Sequence, residues 1–188
     1  SSSFRAIGFE AVITSDPAVI RAAEKIILPG VGAFEDAAKK LFETGLGDVV
    51  ISEARKGKPV MGICLGMQLL FEKSFEYGEH RGLGLLEGSV VPMKGVIPEN
   101  LKIPHIGWNA LNFTSKESKL FRFIKNGDFV YFVHSYYATD CDKDVIAYTE
   151  YGENLCAAVE RDNVFGCQFH PEKSGEVGLN ILRAFAKL

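Results

Sequence analysis

One stretch, Lys58-Pro59-Val60-Met61-Gly62-Ile63-Cys64-Leu65-Gly66-Met67-Gln68-Leu69-Leu70, constrains the fold more than any other part of the chain. A short apolar run ends in Gly-x-Cys-x-Gly, and apolar residues at helical spacing follow at once. This is the pattern of a nucleophile elbow, a sharp strand-to-helix turn that lifts one reactive side chain above a sheet. A residue in such a strained turn leaves little room for side chains on its neighbours. Gly62 and Gly66 therefore let strand and helix approach closely. The free N–H groups and positive end of the helix favour a thiolate, which is the attacking species. Cys64 is the candidate nucleophile.

Strand and helix patterns alternate around the elbow. A short strand is expected at residues 10–14. Asp16-Pro17 then supplies a cap and a first-turn proline for a helix. A buried strand at 25–28 runs into Pro29-Gly30-Val31-Gly32, helices follow at 34–42 and 46–55, and the strand at 59–63 leads into a helix at 65–73. Such alternation implies an α/β fold with parallel pairing and a sheet covered on both faces. The second half is richer in strands, with alternating segments at 85–93, 105–112, 129–138, 145–151, 155–160 and 164–170. Arg161-Asp162-Asn163 is a hairpin turn between the last two. The final helix, 175–188, carries Val177, Ile181, Phe185 and Leu188 at helical period. Residues 1–8 have the character of a helix tail, so the strand that usually opens an α/β sheet is missing from the N-terminus. All of 1–188 is assigned to a single domain.

The chain has 188 residues and a formal net charge of −3, which gives no reason to expect nucleic acid or an anionic membrane as partner. No apolar run approaches the length of a membrane span. The four cysteines, Cys64, Cys141, Cys156 and Cys167, have neither paired C-x-x-C spacing nor companion histidines at metal-ligand intervals, so no metal site and no cofactor are expected. A disulfide framework is not expected in a domain of this size, which suggests a reducing, cytoplasmic setting. Cys141, Cys156 and Cys167 are read as small buried hydrophobes.

A thiolate needs a proton acceptor held by a third group. Of His80, His105, His134 and His170, the last lies in Phe165-Gly166-Cys167-Gln168-Phe169-His170-Pro171-Glu172, where a strand reaches its carboxyl end. In extended chain, positions i and i+2 face the same way, so Glu172 can hold one imidazole nitrogen while the other faces Cys64. The plainer alternative is a surface histidine beside a solvated carboxylate. An oxyanion would take the Leu65 N–H and a second N–H from the glycine loop at Val31 or Gly32. Gln68, four residues beyond Cys64, shares the nucleophile's helix face. His105 and His134 are assigned to packing or hydrogen bonding, and His80 to a loop.

Gly62-Ile63-Cys64-Leu65-Gly66-Met67-Gln68 together with Phe169-His170-Pro171-Glu172 resembles the class I (triad) glutamine amidotransferase family. Leu28-Pro29-Gly30-Val31-Gly32-Ala33-Phe34, Pro104-His105-Ile106-Gly107-Trp108-Asn109 and Tyr131-Phe132-Val133-His134-Ser135-Tyr136 are similar to stretches in the glutaminase subunits of imidazole glycerol phosphate synthases. The resemblance implies a three-layer sandwich with a central, mostly parallel sheet and an added antiparallel part. It implies that Cys64 forms a glutamyl thioester from L-glutamine, that His170 moves protons and that Glu172 orients it. Gly32, Gln68, Glu76 and the backbone of Ser135 and Tyr136 would contact the substrate. Trp108, Asn109, Tyr131 and Lys173 would face a (β/α)8-barrel synthase (cyclase) subunit that receives the ammonia. Two other enzymes share the elbow, the glutaminase component of anthranilate synthase and a DJ-1/PfpI-like cysteine hydrolase. Trp108 and the Pro29–Phe34 stretch argue against the first, and His170-Pro171-Glu172 against the second.

Overall fold

The helix at Asp16-Pro17 forms for the reason its sequence gives: the Asp16 carboxylate accepts the Ala18 N–H at 2.9 Å and the proline occupies the first turn. The structure, a computed structural model, describes residues 1–188. In chain order its elements are α1 (Ser2–Ala6), α2 (Pro17–Ala22), β1 (Ile26–Leu28), α3 (Phe34–Glu43), α4 (Leu46–Arg55), β2 (Val60–Ile63), α5 (Leu65–Leu69), β3 (Phe71–Ser74) and β4 (His80–Arg81). There follow β5 (Leu86–Pro92), β6 (His105–Ala110), β7 (Asn112–Phe113), β8 (Phe129–His134) and β9 (Tyr136–Thr139). After a 3₁₀ turn at Asp142–Asp144 come β10 (Val145–Glu150), β11 (Asn154–Arg161), β12 (Val164–Cys167), a second 3₁₀ turn at Pro171–Lys173, and α6 (Gly175–Ala186).

The central sheet has the order β1-β2-β12-β11-β10-β7. It is mixed: β1, β2 and β12 run parallel, and β11, β10 and β7 continue it in antiparallel fashion. Along β2, Val60 packs into a core with Val50 and Ala54 of α4, whereas Met61 and Ile63 pack into a second core with Ile181, Leu182 and Phe185 of α6. Both faces of the strand are thus buried, and helices cover the sheet on either side. Two smaller sheets, β4-β3-β5-β9 and β6-β8, form the added strand-rich part. No helix is long and apolar enough to cross a membrane.

Several elements differ from the sequence pattern. Residues 10–14 form no strand; Val12 and Ile13 are exposed and pair with nothing, and alternation without a neighbouring ladder does not hold a strand. The helix expected at 65–73 stops at Leu69, because residues from Phe71 pair with β5. The segment 129–138 is two strands in two sheets, broken at Ser135. His80 lies in β4, not in a loop, and its Nε2 is 3.0 Å from the Tyr77 carbonyl.

Candidate active site

Cys64 adopts φ 54° and ψ −113°, a strained conformation for a residue with a side chain. Three contacts over-determine it. Its N–H donates to the Cys167 carbonyl at 2.7 Å, locking the elbow to β12, and its carbonyl accepts the Gln68 N–H at 3.2 Å. A Cβ on Gly62 would sit 2.5 Å from the Gly66 carbonyl oxygen, so the strand and helix touch through their backbones. The loop after β1 packs on the same turn, where a Cβ on Gly30 would lie 3.2 Å from the Leu65 Cβ. Because α5 is barely more than one turn long, its dipole is a smaller influence on the sulfur than a long helix would exert.

Cys64 and His170 line one cavity of about 450 Å³, together with Val31, Gly32, Leu65, Gln68, Glu76, Ser135 and Tyr136. His170 is buried, and its Nδ1 lies 2.5 Å from Glu172 Oε1. Its pKa is pushed up to about 9, first by the neighbouring Cys64 sulfur and then by its bond with Glu172. Burial works against charge on Glu172, yet the bond to His170 keeps that carboxyl below its ordinary range. The pairing does not arise from strand alternation. β12 ends at Cys167, and His170 precedes a 3₁₀ turn that curls Glu172 back onto the ring. Ser174 fixes this turn, donating to the His170 carbonyl at 2.6 Å and accepting the Tyr131 N–H at 3.0 Å. The His170 N–H donates to the Tyr131 carbonyl at 3.0 Å, so β8 holds the histidine from two sides.

The remaining predicted residues divide by environment. Val31 is 82% exposed at the cavity mouth, and Gly32 has φ +99° with open space around it. Gln68 is buried, not exposed on a helix, and donates to the Tyr136 carbonyl at 3.3 Å and to Gln168 Oε1 at 3.2 Å. Glu76 follows β3, not a helix; burial raises its pKa, while the Phe34 N–H partly offsets this. The Ser135 carbonyl already accepts the Met93 N–H at 3.0 Å, and the Tyr136 carbonyl accepts from Gln68 and His134. On the outer face, Trp108 is 54% exposed and meets Tyr131 edge-on at 6.2 Å, and Lys173 is exposed. Asn109 differs from that group: it is half-buried, and its amide is engaged by the protein itself, donating to the Glu150 carbonyl at 2.8 Å. Gln168, which the sequence reading passed over, is buried beside the sulfur; its place two residues before His170 was the available signal. Cys141, Cys156 and Cys167 are buried free thiols.

A cysteine on a strained elbow, an imidazole bonded to a carboxylate, and a cavity beside them lined by both polar and apolar residues make an arrangement suited to acyl transfer from an amide. The chain matches the family model for class-I glutamine amidotransferases over residues 6–187 and belongs to that family. It is 52% identical to the imidazole glycerol phosphate synthase subunit HisH of Caldanaerobacter subterraneus over 183 residues, which cover 97% of this chain and 88% of that protein. With the same subunit of Aquifex aeolicus it shares 51% identity over 189 residues, covering 100% of this chain and 89% of that protein. A crystal structure of a glutamine amidotransferase has the same fold, with a TM-score of 0.76 at 20% identity over 99% of this chain and 89% of that one.

Proposed function

We propose that this chain is the glutaminase subunit of an imidazole glycerol phosphate synthase, hydrolysing L-glutamine to glutamate and passing the ammonia to a synthase (cyclase) subunit in histidine biosynthesis. The observation that carries the chemistry is His170, held by Glu172 on the wall of the cavity that Cys64 enters from its elbow.

The raised pKa of His170 keeps its ring charged near neutral pH, the form that can protonate the leaving nitrogen. The Cys64 thiolate attacks the side-chain amide carbon of glutamine, and the carbonyl electron pair moves onto oxygen. The N–H groups of Leu65 and of Val31 or Gly32 receive that oxyanion. The His170 imidazolium gives its proton to the amide nitrogen as the C–N bond breaks. Ammonia leaves, and the glutamyl thioester remains. Neutral His170 then takes a proton from the water that attacks the thioester; the C–S bond breaks, restoring the thiolate and releasing glutamate. Glu172 stabilises the imidazolium throughout. Glu76 receives the substrate's α-ammonium, and Gln68 with the backbone at Ser135 and Tyr136 holds the chain of the glutamine.

Ammonia released into water is protonated and diluted, so an enclosed path to a partner has a chemical purpose. The partner is a (β/α)8 barrel that docks on Trp108, Tyr131 and Lys173, with Asn109 at the edge of the same strand. Gly32, unhindered at positive φ, gives the oxyanion loop two available peptide orientations, one of which the partner selects. The test is glutamate release from glutamine by the chain alone and with a candidate cyclase subunit and its ribonucleotide substrate, alongside labelling by a glutamine-mimicking electrophile. Labelling confined to Cys64 and turnover that rises with the partner support the reading. Absence of labelling overturns it, and full turnover by the isolated chain overturns the partner switch.

A further inference from the structure

A continuous hydrogen-bond chain runs from β6 to the Cys64 sulfur, and the chemistry of its members fixes every donor. The Tyr136 carbonyl only accepts, so His134 Nδ1, 2.9 Å away, carries a proton. Burial pushes the pKa of His134 down to about 4, leaving the ring neutral and its Nε2 an acceptor. His105 Nδ1 donates to that nitrogen at 2.9 Å. Burial likewise lowers the pKa of His105 to about 4, so its Nε2 accepts, and Asn109 Nδ2 is 3.5 Å from it. The Asn109 amide is oriented by its other bonds, to the Glu150 carbonyl at 2.8 Å and from the Ala110 N–H to Oδ1 at 2.9 Å.

On its other side the Tyr136 carbonyl accepts from Gln68 Nε2, which also donates to Gln168 Oε1. Gln168 is 0% exposed and must therefore turn its own Nε2 toward Cys64, whose sulfur lies 3.8 Å away. The thiol proton has a separate acceptor, the Val133 carbonyl at 3.8 Å. Once that proton leaves, the sulfur becomes an anion with the Gln168 N–H aimed at it, and a hydrogen bond to a charged acceptor is stronger than one to a neutral acceptor. Four buried polar side chains are costly unless each is bonded, and here each one is.

Deepening the glutaminase reading on which it rests, we propose that Gln168 is the side-chain donor that holds the Cys64 thiolate, and that Asn109, His105 and His134 are positioning residues that keep it on the sulfur. The strand that presents Trp108 is thereby wired to the nucleophile. The two halves of the chain meet at the Tyr136 carbonyl, which accepts from both His134 and Gln68, so a change at Asn109 reaches Gln168 through the polarisation of that shared acceptor.

Two measurements test this without glutamine, so their outcome is independent of whether the glutaminase reading holds. Long-range ¹H–¹⁵N correlation on histidine-labelled protein at neutral pH should find His105 and His134 both in the Nδ1–H form. In Asn109→Asp two acceptors face each other, so the His105 ring signals should move to the Nε2–H or doubly protonated pattern. Alkylation of Cys64 by iodoacetamide at fixed neutral pH should slow about tenfold in Gln168→Met, and also slow in Asn109→Asp, which sits at a strand surface and keeps the test independent of how well Gln168→Met folds. A wild-type ring in the Nε2–H form overturns the relay. Unchanged alkylation in folded Gln168→Met overturns the role of the amide.

Discussion

Gly66 stands so close to β1 that a Cβ on it would lie 1.7 Å from the Leu28 carbonyl oxygen. The atom opposite is backbone, which cannot swing aside as a side chain would. Gly66→Ala should therefore part the elbow from β1 and destabilise the fold by roughly 3 kcal/mol or more, read as a lowered urea midpoint. Gly32 is the contrasting case. It has φ +99° with nothing near its Cβ position, so Gly32→Ala meets conformational strain alone, about 1 kcal/mol. Its larger effect should fall on glutamine turnover, through the loop peptide expected to bind the oxyanion.

The strain at Cys64 sets stability against function. A non-glycine residue at φ 54°, ψ −113° costs on the order of 1–3 kcal/mol, and glycine occupies that region freely. Cys64→Gly should abolish glutamine hydrolysis and yet raise the thermal midpoint by about 2–4 °C, after allowing for the greater chain entropy of glycine. Calorimetry on the two proteins checks this. A lowered midpoint would mean that the Cys64 side chain contributes more by packing than its backbone conformation costs.

The His170–Glu172 pair fixes the sign of the pH response. His170 is raised from 6.5 to about 9 in the folded state, so its contribution to stability is fully present below pH 6.5 and is lost as pH rises through 9. Glu172 is lowered, so its contribution is present above the ordinary glutamate range and is lost at more acidic pH. The stability advantage of the native protein over Glu172→Gln should then be larger at pH 6 than at pH 10, by urea unfolding at both. Glutaminase turnover should fall above about pH 9 as the imidazolium that protonates the leaving nitrogen disappears. In Glu172→Gln that fall should begin at lower pH, with kcat reduced on the order of a hundredfold.

Much of the site is local in sequence, and those parts were legible. Gly62-Ile63-Cys64-Leu65-Gly66 records the elbow because Gly62 answers a backbone approach four residues away, although the close approach of Gly66 to Leu28 is a long-range one. Asp16-Pro17 records a helix start for a similarly local reason, and the helix expected at 46–55 is α4, Leu46–Arg55. What the sequence did not record depends on distant pairing. Residues beyond Leu69 carry helical spacing, yet β5 captures Phe71–Ser74 into a sheet. The chain breaks at Ser135 because β8 pairs with β6 while β9 pairs with β5, a competition invisible in an unbroken run of strand formers. The chain of bonds through His105, His134, Gln68 and Gln168 joins four separate segments, so no window of sequence contains it.

Glu76 gives a prediction that separates binding from chemistry. Its carboxylate lines the cavity, and burial holds its pKa above the ordinary value, which the nearby Phe34 backbone only partly offsets. A carboxylate in that setting gains from an incoming cation, and the α-ammonium of glutamine is one. A hydrogen bond to a charged group is worth about 1.5–3 kcal/mol, so Glu76→Gln should raise KM for glutamine roughly ten- to a hundredfold while kcat changes far less. The neutral amide also removes the burial cost of the charge, so the variant should be at least as stable as the native protein to urea. A substrate analogue without the α-amino group discriminates further: the native protein should reject it strongly, and Glu76→Gln should handle it nearly as well as glutamine. A drop in kcat with unchanged KM would place Glu76 in support of the Phe34 loop and remove it from the substrate.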